Sequence, residues 1–349
     1  MRVWVGPVSK RLGGVNRYVH SLVTNSSSEF RVVREFRELL WGIRWAGRRI
    51  PLVRPLYGEY QRFLRGVDVA HVHRSPLYAE AFSESQQVLP WMFTLHGIGF
   101  EQYWRHRPDV VRWMKQANES ALATVKRAPL ATVVARWLKD FVEERTSASV
   151  EVTPPGVDFR EFGETDASEF VRWSGLSPGF ALWVGRFAHE KRLDWFVQLA
   201  GRFPDREFVA FADADESQVR AAFGGRWPRN LRYFGGAVRG HVVSAYHACS
   251  VYVSTSLYDA APTTMVEAMA CGKPVVAPDN LGAREIHEDS GACFLFRPDS
   301  FADLDEQFQR AVDHPEVGHR GLAFAREKRD WRRLAADFDR RYAGLAHRA

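Results

Sequence analysis

Short runs of apolar, β-branched residues alternate with stretches whose apolar positions recur every three or four residues, and the alternation continues along almost the whole chain. The short runs predict buried strands at RVWVG (2–6), VDVAHVH (67–73), PWMFTL (90–95), ATVVA (131–135) and SVEVTP (149–154). A second series follows at FALWVG (180–185), REFVAFA (206–212), LRYFG (231–235), VYVST (251–255) and PVVAP (274–278). Strands separated by helical patterns need crossover connections, so each series predicts a parallel sheet with helices on its faces. Between the two, PPGVDFREFGETDAS (154–168) is rich in Pro, Gly and acids and predicts the connection. At the far end, FAREKRDWRRLAADFDRRYAGL (324–345) sets Trp331, Leu334, Phe338 and Tyr342 on one face of an amphipathic helix.

A length of 349 residues fits two domains, each with its own core. Cys249, Cys271 and Cys293 are too few and too scattered for a disulfide framework or a zinc ribbon, which favours a reducing compartment. No signal-type apolar run and no membrane span is visible, so a cytoplasmic chain is expected. The net charge of +6 favours anionic partners. It is concentrated between Arg31 and Arg65, where nine arginines (31, 34, 37, 44, 48, 49, 54, 62 and 65) face three glutamates (35, 38 and 59). Within it, FRELLWGIRWAGRRI (36–50) combines arginines with Trp41 and Trp45, a composition suited to an anionic membrane or to a core-facing helix with a solvated basic side. No recognised nucleic-acid fold surrounds these arginines, which argues against nucleic acid as the partner.

The candidate chemistry clusters at strand ends. In SLYDAAPTTMVEAMACGKPVVAP (256–278), Asp259 and Glu267 stand eight apart around a helix of about ten residues, with Pro262 at its first position and Gly272 just past its end. The exposed N–H groups of such a helix suit a diphosphate or sugar hydroxyls; alternatively Asp259 caps the turn and Glu267 is solvated. Arg186 and Lys191 flank a loop after the strand ending at Gly185, where two cations can converge on one diphosphate, unless both are plain surface charge. Gly13 and Gly14 precede a helix and let backbone approach a phosphate, although a plain turn is the better account of a lone Gly pair. His96 follows the strand PWMFTL, and His71 and His73 share one strand face. Zinc is disfavoured for these three, and Asp213 with Asp215 forms an Asp-x-Asp pair.

Together these segments resemble the family 4 glycosyltransferases. The resemblance rests on Glu267, Ala268, Ala270, Gly272, Pro274 and Val275 of the donor motif, on VGR with Glu190 and Lys191, on VAHVH and TLHG, and on PPGVD with Phe162. Asp259 replaces the usual first Glu, Ala260 and Ala261 replace the Gly and aromatic after it, and Ala212 to Asp215 replace a glycine-rich turn near the base. The resemblance implies an α/β GT-B fold: two Rossmann-like domains facing across a cleft, residues 1–160 on the acceptor side and 161–323 binding the nucleotide sugar. A C-terminal helix, 324–349, would cross back to the N-terminal domain. It implies a metal-independent, retaining transferase that moves a hexose from a nucleoside diphosphate sugar to a lipid-linked, glycan or other hydroxyl acceptor, without a further cofactor. The implied donor site comprises Gly13, Gly14, Arg186, Lys191, Asp259, Thr263, Thr264, Met265 and Glu267, with His96 contacting substrate. A non-catalytic GT-B subunit and a sugar-nucleotide epimerase are the alternatives on the same fold.

Overall fold

The structure is a computed structural model describing residues 1–8, 13–34, 66–73, 89–224, 227–236 and 238–347. The chain divides into two compact units, Met1–Thr153 with Arg332–Ala349, and Pro154–Trp331. The predicted basic and aromatic run 36–50 lies outside the described residues, as does all of 35–65.

In the first unit the strands β1 (Arg2–Val8), β2 (Glu29–Arg34), β3 (Val69–His73), β4 (Trp91–Leu95), β5 (Leu130–Val133) and β6 (Glu151–Val152) form one sheet in the order β2-β1-β3-β4-β5-β6. Every pairing is parallel. All positions of β3 and β4 are buried, so VAHVH and WMFTL appear as continuous runs rather than alternations. The helix Trp331–Ala346 buries Phe338, Tyr342 and Leu345. It is tied to the first unit by polar contacts: Tyr342 Oη meets His71 Nδ1 at 2.7 Å, Arg341 Nε donates to Glu151 at 2.7 Å, and the Asp339 carboxylate accepts from Ser26, Ser27 and Ser28.

The second unit holds β7 (Ala181–Val184), β8 (Phe208–Ala212), β9 (Leu231–Gly235), β10 (Val251–Val253), β11 (Val275–Pro278) and β12 (Cys293–Phe296), ordered β12-β11-β10-β7-β8-β9 and parallel throughout. The chain steps outward from β7 to β9, then returns to lay β10 on the other side of β7. That reversal sets the carboxyl ends of β7 and β10 side by side, the place where open α/β sheets bind ligands.

Two strands are not among the predicted runs, β2 and β12, and both are sheet edges. The first interleaves charges in EFRVVR, whereas the second, CFLF, is a plain apolar run that continues the second series. The stretch expected as a connection also gains structure. Asp158 caps the helix Phe159–Gly163 by accepting from Arg160 N at 3.0 Å, and Asp166 caps Ala167–Ser174 by accepting from Ser168 N at 2.8 Å. Val157 pairs with Asp330 in a parallel bridge, its N–H donating to Arg329 O at 2.7 Å. The units therefore divide at 153/154 and 331/332, rather than at 160/161 and 323/324, and residues up to Lys328 complete the preceding helix Val317–Lys328.

Candidate functional site

The loop after β7 carries Arg186 and Lys191 and is clamped along its length. Phe187 N donates to Asp213 Oδ1 at 2.7 Å, and Leu257 N donates to Glu190 O at 2.8 Å. Thr255 Oγ1 donates to Lys191 O at 2.7 Å and accepts from Trp183 Nε1 at 3.0 Å, a buried chain linking β7, β10 and the loop. Arg192 follows with a left-handed φ of 50°, an uncommon conformation for a residue with a Cβ. The cations themselves are paired: Arg186 Nη2 lies 2.6 Å from Glu190 Oε1, and Lys191 Nζ lies 2.6 Å from Asp259 Oδ2. Asp259 thus engages a cation from another loop instead of capping its own turn.

Asp259 leaves the carboxyl end of β10 and precedes the helix Thr263–Ala270. That helix has eight residues, not ten; Pro262 occupies the cap with φ −72°, one position earlier than expected, and Gly272 ends it with φ +67°. Within its first turn, Thr264 Oγ1 accepts from the buried Tyr252 hydroxyl at 2.8 Å, and Met265 N donates to Pro262 O at 3.2 Å. Burial pushes the Tyr252 phenol up, keeping it a donor. Beneath the 259–262 loop sits Gly282, where a Cβ would overlap the Asp259 carbonyl oxygen and stand 3.0 Å from that of Ala260. Asn280 Nδ2 donates to Ser256 O at 3.0 Å from the same side.

Glu267 is 3% exposed, so it is no solvated helix residue. Its Oε1 accepts from Arg239 Nη2 at 2.7 Å, and Arg239 Nε also donates to Glu161 Oε1 at 2.8 Å. Burial would lower the Arg239 pKa, but the two carboxylates outweigh it and hold the guanidinium firmly charged. Arg239 and Glu161 carried no motif that could reveal them, because they lie 28 and 78 positions from the residues they join.

Gly13, Gly14 and His96 belong to the first unit. Gly13 is extended at φ 179°, and a Cβ at either glycine would meet no described atom within 4 Å, so neither conformation nor described packing demands glycine there. His71 and His73 are fully buried. His71 Nε2 meets Thr94 Oγ1 at 2.6 Å, and His73 Nδ1 meets His96 Nε2 at 2.8 Å. Burial drives the His73 imidazole down to about 3, so it is neutral near pH 7. Among the described residues no group of three or more His, Cys, Asp or Glu side chains is arranged to hold a metal ion.

Residues 179–314, which contain Arg186, Lys191, Arg239, Asp259 and Glu267, match the family model described as glycosyl transferases group 1. This region is similar to the glycosyl transferases group 1 family. A GDP-mannose-dependent alpha-mannosyltransferase from Mycobacterium tuberculosis is 29% identical over 134 residues, 38% of this chain and 34% of that protein. The chain spans 34% to 62% of the length of the first curated relatives it matches. Among solved structures, sucrose-phosphate synthase from Thermosynechococcus elongatus matches with a TM-score of 0.81 at 16% identity, covering 100% of this chain and 99% of that one. Anabaena HepE, solved in complex with UDP-glucose, matches with a TM-score of 0.76 at 16% identity, over 98% of this chain and 99% of that one. The fold of the chain is therefore GT-B.

Proposed function

We propose that the protein transfers a hexose from a nucleoside diphosphate sugar to a hydroxyl acceptor, with retention of configuration and without a metal ion, as the resemblance to family 4 enzymes implies. The supporting observation is the meeting of Lys191 and Asp259 at the strand-order reversal, beside the N-terminus of Thr263–Ala270. A diphosphate leaving group needs positive charge aimed at it, which Arg186, Lys191 and the helix N–H groups can supply. Lys191 then exchanges one oxyanion for another, and the Asp259 carboxylate becomes an acceptor for sugar hydroxyls. Glu267 binds the ribose, held in place by Arg239. A nucleotide-sugar donor agrees with the GDP-mannose named for the mycobacterial relative and the UDP-glucose bound to HepE.

In the reaction the bond from the anomeric carbon to the donor phosphate breaks and a bond to the acceptor oxygen forms on the same face. The acceptor proton passes to the departing phosphate oxygen, whose charge Arg186 and Lys191 balance. Incubating the purified chain with UDP- and GDP-sugars, with and without chelator, tests this. Release of nucleoside diphosphate that persists in chelator supports the reading. Loss of release on chelation, restored by manganese, would instead implicate Asp213 and Asp215 as metal ligands.

For the acceptor we propose a glycan or lipid-linked hydroxyl, reached by peripheral contact of the basic 31–65 segment with an anionic membrane. No helix among the described residues is long and apolar enough to cross a membrane. Binding to acidic liposomes should weaken with salt and with charge reversal at Arg44, Arg48 and Arg49, a cation at such a surface contributing about 1 kcal/mol. Indifference to both changes would point to a water-soluble acceptor.

A further inference from the structure

Every Lys and Arg of the loop 186–192 is already paired with a carboxylate. Arg186 Nη2 meets Glu190 Oε1 at 2.6 Å, Lys191 Nζ meets Asp259 Oδ2 at 2.6 Å, and Arg192 Nε lies 3.6 Å from Asp194 Oδ2. Asp213 adds a further acid, accepting from Phe187 N at the head of the loop. The positive charge of this loop is therefore balanced before any ligand arrives, and a bare anion gains little from approaching it unless it displaces one of these carboxylates.

The two inner pairs differ in how they respond. The Glu190 side chain is 10% exposed, so drawing Arg186 off it would leave a nearly buried carboxylate uncompensated, a strongly unfavourable change. A guanidinium has five N–H donors, so Arg186 keeps Glu190 and reaches a phosphate with the others. The Asp259 side chain is more open, at 29% exposed, and can turn away from Lys191. The backbones of this second pair are held independently of the ion pair. Lys191 N donates to Ala188 O at 2.9 Å and Lys191 O accepts from Thr255 Oγ1 at 2.7 Å, while the Asp259 carbonyl packs on Gly282. Leu257 N, donating to Glu190 O at 2.8 Å, ties the two segments together. An incoming anion must therefore displace the Asp259 side chain by rotation, and the carboxylate stays tethered within reach as a competitor of high effective concentration.

We propose that Asp259 is a specificity-determining residue that makes capture of a diphosphate by Lys191 conditional on an attached sugar. When an intact nucleotide sugar binds, a phosphate oxygen takes the Asp259 place on Lys191, and sugar hydroxyls take the Lys191 place on Asp259. Both members of the broken pair are then satisfied. Pyrophosphate, or a nucleoside diphosphate without its sugar, supplies only the first replacement and leaves Asp259 to compete for its old partner. The loop thus discriminates against free diphosphates, including the product of the proposed reaction. The competition itself stands on the ion-pair geometry; its link to a sugar rests on the proposed glycosyl transfer.

Calorimetric titration of the full chain with inorganic pyrophosphate, at low salt and with chelator, reads the competition without knowledge of the donor. The wild type should bind weakly and Asp259→Asn about tenfold more tightly, as expected if Lys191 is free of Asp259 about one-tenth of the time. Adding Lys191→Met to Asp259→Asn should remove the gain. Nucleoside diphosphates should gain in Asp259→Asn as pyrophosphate does, whereas a nucleotide sugar should not. If Asp259→Asn does not fold, Asp259→Ser reads the same quantity. An unchanged pyrophosphate affinity in the folded variant, a gain that persists without Lys191, or an equal gain for the nucleotide sugar overturns the proposal. A wild-type chain that binds no nucleotide sugar overturns the donor reading and the conditional capture with it. A nucleotide sugar that binds the wild type, with pyrophosphate unmoved in Asp259→Asn, overturns this inference alone.

Discussion

Lys191 Nζ and Asp259 Oδ2 meet at 2.6 Å although 68 positions separate them in the chain. The contact exists because β7 and β10 are neighbours in the sheet while β8 and β9 are built outward between them in sequence. It draws the cation proposed for the diphosphate and the acid proposed for the sugar to one point. Lys191 is held there by its carbonyl bond to Thr255, and Asp259 by the close packing of its loop on Gly282.

From that contact the two partners are expected to fail differently. Asp259→Ala should lower turnover by roughly 10² to 10³, the usual effect of losing one aimed polar contact, while nucleoside diphosphate binding persists or tightens as Lys191 is released. Lys191→Met should weaken nucleoside diphosphate binding and rate together. Calorimetric titration with nucleoside diphosphate, alongside steady-state rates, separates them. Full activity in a folded Asp259→Ala would leave Asp259 as a structural partner of Lys191 and nothing more.

Arg239 should prove indispensable to the fold around Glu267. Arg239→Leu removes the cation from a carboxylate that is 4% exposed and, like other broken buried pairs, should cost about 3 to 5 kcal/mol. Adding Glu267→Gln to Arg239→Leu should recover part of that loss, since no buried charge is then unpaired. Urea denaturation of the two single variants and the double variant measures the coupling. Simple additivity would mean that the pair does not act as a unit.

Gly282→Ala tests whether close packing sets the Asp259 loop. The added methyl has the Asp259 carbonyl in its way, so the loop must move, at about 1 to 3 kcal/mol for overpacking. The expected signature is a transfer rate that falls further than thermal stability does. Wild-type kinetics in Gly282→Ala would show that the loop tolerates displacement.

Much of this organisation is legible in the sequence because buried parallel strands leave dense apolar runs. LRYFG coincides with β9 residue for residue, and the runs around β3 and β4 are equally plain. The edge strand β2 is not legible because charges dilute it, whereas β12, as long as β7 and β11, is a plain apolar run, CFLF, that continues the second series. The site divides in the same manner. Asp259 and Glu267 lie within one helix-and-loop segment, and Arg186 and Lys191 within another, so local pattern and family resemblance single them out as candidates. Arg239 and Glu161 act by tertiary contact alone, and Glu161 sits in a stretch whose prolines and acids look like a linker. Acid caps and helix breakers mark short capped helices as readily as loops, which is why the unit boundary falls earlier than expected.

Acid should destabilise the first unit through its buried histidines. The His73 pKa falls from 6.5 to about 3 on folding, so between those values the unfolded chain binds a proton that the folded chain refuses. Stability from this group is therefore complete above about pH 6.5 and declines as the pH drops, at up to about 1.4 kcal/mol per pH unit. His71 shifts in the same direction, chiefly by burial. His73→Asn should flatten the dependence of urea stability on pH between 6.5 and 4. An unchanged slope in that variant would mean that His73 is protonated in the folded chain.

Donor binding by the purified full chain is the most direct measurement, made by thermal shift with UDP, GDP and their sugars in the presence of chelator. One nucleoside diphosphate and its sugar are expected to stabilise the chain by about 2.7 kcal/mol at a hundred times the dissociation constant. That stabilisation should disappear in Lys191→Met and Glu267→Ala variants that remain folded. A folded wild-type chain that gains no stability from any of these ligands, or variants that gain as much as the wild type, would contradict a donor site built from Lys191 and Glu267.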